Sequence, residues 1–178
     1  MQIKNTLERY GIVAKLFHWV MALLVVCLLC IGLYMTQESL GDARYKFYGW
    51  HKEFGILVLM LVVLRMAWRV RSYIPSLPDT MPSWQKWAAH ITHWALYFFM
   101  VAMPLTGWIM SSAGGHEISF FGLFNLPALV EPNKSLSHFM AELHEYIAYG
   151  LIATIILHVL AALKHHFIDK DTILKRML

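Results

Sequence analysis

Ten histidines stand in this 178-residue chain, several of them inside stretches otherwise built from Leu, Ile, Val and Met. His18 lies within IVAKLFHWVMALLVV, His51 precedes KEFGILVLMLVVL, and His144 and His158 flank EYIAYGLIATIIL. A neutral imidazole can bind a metal, share a hydrogen bond or carry a proton, and an ionisable side chain inside an apolar span is costly enough to be a functional candidate. His144 and His158 are 14 residues apart. On an α-helix that spacing turns the chain by about 1400°, to within about 40° of the same face, and raises it by about 21 Å. Two imidazoles therefore project from one face at two levels, with Ala148, Leu151, Ile155 and Ala162 sharing that face.

Depth sorts the others. His18 is about six residues into the first apolar run and His158 about ten from the end of the last, roughly 9 and 15 Å deep at one end. His51, about four residues into its run, and His144, about eight into the last, form a second level at the opposite end. Two nitrogen ligands from different helices at each of two depths suit haem iron, whose axial positions they fill so that the metal cycles electrons without binding oxygen. Zinc would want three or four ligands at one depth. His90 and His93 also fall at the first level, so His93 rivals His18, and spacing alone does not choose between them. His116 and His138 read as interfacial. His165 and His166 could meet a haem propionate, line a quinone pocket or anchor the helix at the interface. Arg65, 14 residues after His51, could pair with propionates or reach out to the interface.

The elements that must position these groups are four apolar helices, expected over about residues 12–35, 47–70, 84–111 and 136–168. Each is near the ~20 residues that span a bilayer. They use most of residues 1–178, which reads as a single transmembrane domain: an all-α integral membrane four-helix bundle. Composition agrees, with 58% hydrophobic and 15% charged residues, against about 25% charged in soluble domains. Pro104 is expected to kink the third helix, and a short interfacial segment is expected around FFGLFNLP. Gly150, off the histidine face, reads as a helix-contact residue. Cys27 and Cys30, in mid-helix, read as packing residues rather than a disulfide, and the N-terminus lacks the pattern of a removable signal peptide.

The net charge of +4 does not reflect a nucleic-acid surface, because Lys and Arg form only short clusters at segment ends. Eleven of the fifteen, Lys4, Arg9, Lys15, Arg65, Arg69, Arg71, Lys86, Lys164, Lys170, Lys175 and Arg176, fall at the end that holds both termini. That end has four acidic residues, Glu8, Asp79, Asp169 and Asp171. The positive-inside rule then puts both termini in the cytoplasm. Trp19, Trp68, Trp84 and Trp87 mark the inner interface and Trp50 and Trp108 the outer, while Trp94 could be core.

The segments RYGIVAKLFHWVMAL, WHKEFGILVLMLVVLRMAWR and LHEYIAYGLIATIILHVLAALKHHFIDKDTILKRML resemble the bacterial di-haem cytochrome b-561 family over essentially the whole chain. They are also similar to the cytochrome b subunits of formate dehydrogenases and hydrogenases. The resemblance implies two haems b in the bacterial inner membrane, with axial pairs His18 with His158 and His51 with His144, which favours His18 over His93. It further implies electron transfer between a periplasmic donor, superoxide for some members, and the quinone pool. The alternatives are a membrane-anchor subunit for a respiratory dehydrogenase or hydrogenase, and a cofactor-free transporter that uses histidines as a proton relay.

Overall fold

In the computed structural model, which describes residues 2–78 and 80–178, the runs of apolar residues form four long helices: α1 (Ile12–Met35), α2 (Arg44–Val70), α3 (Ser83–Ala113) and α4 (Lys134–Phe167). Asp79 lies outside the described residues. A short 3-10 segment, Glu38–Ala43, joins α1 to α2 and lets α2 begin at Arg44 rather than near Phe47. The α3–α4 connection holds an antiparallel hairpin, β1 (Ile118–Phe120) and β2 (Phe124–Leu126), where an interfacial segment was expected. Its turn passes through Phe121 and Gly122, both at positive φ, a conformation that glycine adopts without steric cost. Asn133 opens α4, its side-chain oxygen accepting from the Leu136 N–H at 3.0 Å, which satisfies one of the free donors of the first turn. Helix α3 continues through Pro104.

Helices α1, α3 and α4 are each long and apolar enough to cross a membrane. Helix α2, with Lys46, Lys52, Glu53, Arg65 and Arg69 in its 27 residues, is more mixed. The outward faces are apolar: Leu23 is 66% exposed and Leu157 62%. A row of such side chains suits lipid rather than water, since soluble proteins rarely expose large contiguous apolar patches. Cys27 and Cys30 are free and exposed on α1, so they face outward instead of packing in the core. Trp94, 63% exposed, is likewise not a core residue.

Each helix packs mainly on its sequence neighbours, α3 on α4 most extensively, then α1 on α2 and α2 on α3. The buried core takes residues from all four: Met21 and Val25, Val58 and Val62, Tyr97, and Leu151. On every helix these positions lie between the two histidine levels. Gly150 sits where α4 meets α3. A Cβ there would come within 2.9 Å of the Phe99 ring, so the expected helix-contact role matches its position.

Gly150→Leu should overpack this seam and cost about 1–3 kcal/mol. Thermal unfolding in detergent checks this, and Phe99→Ala in the same chain should recover part of the loss by opening room.

Candidate functional site

The histidines meet across helices that otherwise stand apart. Among the described residues, α4 packs on α3 and makes no extensive contact with α1 or α2. Yet His18 of α1 faces His158 of α4 with ring centres 6.2 Å apart and planes at 78°. His51 of α2 faces His144 of α4, also at 6.2 Å, with planes at 71°. All four are half-buried. His93 approaches His158 at 5.4 Å but is itself exposed, as are His90, His116 and His138.

What holds each ring differs. At the outer pair, two glycines make room: a Cβ on Gly32 would lie 3.2 Å from His51 Cε1, and one on Gly107 would lie 3.3 Å from His144 Cε1. Those distances are tighter than ordinary packing, so the imidazole edges lie close against α1 and α3 because no side chain intervenes. His144 Nδ1 is 2.9 Å from the buried Thr106 hydroxyl. His51 Nδ1 is buried without a hydrogen-bond partner. At the inner pair, Arg65 Nη2 lies 3.4 Å from His18 Nδ1, and the guanidinium also sits over the Tyr97 ring at 5.6 Å, with Arg69 over the same ring at 5.7 Å. Arg65 thus stays within the bundle beside a histidine rather than extending to the interface.

Beside the outer pair lies a cavity of about 690 Å³ lined by His51 and His144, by Val25, Val58 and Leu151 of the core, and by Arg44, Lys52 and His116 nearer its mouth. His116, expected only as an interfacial residue, therefore also borders this cavity. At the inner end, His165 Nδ1 contacts Asp171 at 2.7 Å and Asp169 at 3.1 Å, while Lys164 reaches Asp169 at 2.6 Å. Trp19 donates its indole N–H to the Met177 carbonyl, so the C-terminal tail returns beneath α1. Thr106, Gly32 and Gly107 carried no signal in the sequence beyond small or polar residues in apolar helices. Their roles follow from neighbours tens of positions away.

The pattern that defines the prokaryotic cytochrome b561 family matches residues 9–178. The chain belongs to that family. It is 41% identical over 180 residues to cytochrome b561 homolog 2 of Escherichia coli strain K12, a match covering 100% of this chain and 95% of that one. Cytochrome b561 homolog 1 of the same organism is 32% identical over 176 residues, covering 97% and 98%. A Yersinia pestis protein named probable superoxide oxidase CybB is 28% identical over 175 residues, covering 96% of each chain. This cytochrome b561 is thus a membrane protein of electron transport, and its family implies b-type haem.

The residues present fit such a group. His18 with His158, and His51 with His144, face each other from different helices at the same 6.2 Å, so each pair leaves a gap in which two imidazoles could hold such a group; His93 and His158 are 5.4 Å apart. With the Nδ1 edges of His51 and His144 turned to Gly32 and Thr106, the second ring nitrogen of each remains the available donor. Neutral imidazole is also the ligand form that haem iron takes.

Gly107→Val should displace the His144 ring and lower the haem bound per purified chain. Pyridine haemochrome absorbance normalised to protein measures this, and an unchanged ratio would show that the ring tolerates the added carbons.

Proposed function

We propose that this cytochrome b561 is a free-standing di-haem protein of the bacterial inner membrane that moves electrons from a periplasmic donor to the quinone pool. In this reading residues 1–178 form one domain, all four helices cross the bilayer, and both termini face the cytoplasm. His18 and His158 are the axial ligands at the inner level and His51 and His144 those at the outer. The observation that carries it is the recurrence of one separation, 6.2 Å, at two levels, each time between helices that do not otherwise pack. A hydrogen-bonded histidine pair needs to occur only once. Two equal gaps, stacked along one helix and parted by an apolar core, suit two identical flat groups.

A b-type haem with both axial positions filled supplies one-electron chemistry and no open site for oxygen. The protein's part is to hold the imidazoles, exclude water between the levels and set the local charge. Met21, Val25, Val62 and Leu151 do the second; Arg65 beside His18 contributes to the third. Inclusion of α2 as a span is supported by its FGILVLMLVVL run and by the buried positions Ile56, Val58 and Val62. The charge asymmetry between the ends supports the orientation. Superoxide as donor is suggested by the name of the Yersinia pestis relative. Two superoxide anions, each giving up one electron to become dioxygen, supply the two electrons that, together with two protons taken from water, convert a quinone into its quinol.

The purified protein is expected to carry two haems b per chain. His144→Ala should leave one, and His18→Ala should also leave one, whereas His93→Ala should keep both. Loss of haem from the His93 variant but not from the His18 variant would reassign the inner pair. Stopped-flow mixing of the oxidised protein with superoxide should reduce the haems and, with a quinone present, yield quinol. Failure of superoxide to reduce them at all would remove it as the donor.

A further inference from the structure

We propose that Thr106 is a positioning residue that sets the reduction potential of the outer haem by accepting a hydrogen bond from His144. This rests on reading His144 as an axial ligand. The Thr106 side chain is buried within α3, and its Oγ1 lies 2.9 Å from His144 Nδ1. The same oxygen is 2.9 Å from the backbone carbonyls of both Ala102 and Met103, one turn back on its own helix. A hydroxyl has one hydrogen and two lone pairs. The hydroxyl can give its one hydrogen to either carbonyl and keep a lone pair for the imidazole. With Nε2 held as the ligand nitrogen, His144 Nδ1 is the protonated one and can only donate, so that lone pair receives it.

The chain carbonyl, hydroxyl, imidazole runs in one direction, so each link polarises the next. Donation from Nδ1 raises the basicity of the far nitrogen. A more basic ligand favours the oxidised metal and lowers its potential. Gly107, the next residue, makes the contact possible, since any Cβ there would crowd His144.

The outer pair contains its own comparison. His51 also lies against a glycine, Gly32, but no side chain accepts from its buried Nδ1. At the inner level, the group nearest His18 Nδ1 is the Arg65 guanidinium at 3.4 Å, which offers no acceptor. Among the described residues, Thr106 is thus the one side chain that accepts from any of the four paired histidines.

Redox titration of the purified holoprotein, followed in the visible bands, tests this. Thr106→Val keeps the shape and removes the acceptor. It should raise one of the two midpoint potentials by up to about tenfold in the one-electron equilibrium constant, or about 59 mV, and leave the other in place. Thr106→Ser, which restores the hydroxyl, should return it. Unmoved potentials in Thr106→Val, a downward shift, or a serine variant that behaves like valine would each overturn the proposal. If the valine variant does not hold both haems, Thr106→Cys takes its place. Its thiol is a weaker acceptor, so an intermediate upward shift supports the role and an unshifted midpoint refutes it. His144→Ala distinguishes the two levels of inference. Loss of one haem there, with no shift in the Thr106 variants, sinks the role of Thr106 alone, whereas full retention of haem by His144→Ala sinks the ligand assignment itself.

Discussion

Everything in this bundle depends on the distance at which α4 is held from α1 and α2. In hydrocarbon an imidazole has no water to fall back on, so a polar ring is stable there only against a partner that the protein supplies. The partner histidines come from helices that do not touch α4 closely, and the gap is fixed indirectly, by the seam of α3 with α4 and of α1 with α2. Gly150 brings α4 onto Phe99 of α3. A bulkier residue there would move α4 as a rigid body, and with it both His144 and His158. One seam therefore sets two gaps at once, which is why a single helix carrying both histidines is an economical way to keep two sites in register.

Between the levels the core is apolar. Met21 and Val62 are completely enclosed, and Val25, Val58 and Leu151 surround them. Tyr97 closes the inner side of this layer under the two guanidiniums of Arg65 and Arg69. The low dielectric of such a layer means that charges near either level act with little screening.

The 14-residue spacing on α4 was legible in the sequence because both histidines lie on one helix, where rotation and rise are fixed by geometry. The choice between His18 and His93 was not, because it depends on how α1 and α3 are placed against α4. In the structure His18 and His93 both face His158, at 6.2 Å and 5.4 Å. The start of α2 was misplaced for a local reason: a 3-10 segment feeds directly into Arg44, so the helix takes in charged residues that resemble a loop. Cys27 and Cys30 read as packing residues and Trp94 as one that could be core, yet all three face outward. In lipid the outside is apolar too, and hydrophobicity no longer says which way a residue faces.

The two ends of the bundle are finished differently, and this bears on how each level meets its partner. At the inner end the chain closes on itself. His165 is engaged by Asp169 and Asp171, Trp19 holds the Met177 carbonyl, and Arg176 donates to the Ser76 carbonyl in the α2–α3 connection. At the outer end the cavity beside His51 and His144 reaches Arg44, Lys52 and His116. Lys52 donates to the Glu117 carbonyl at 3.1 Å, which ties the residue next to His51 to the segment leading into the hairpin. One end of the bundle therefore opens through a cavity among basic side chains, while the other is closed by ion pairs and backbone contacts of the chain's own tail.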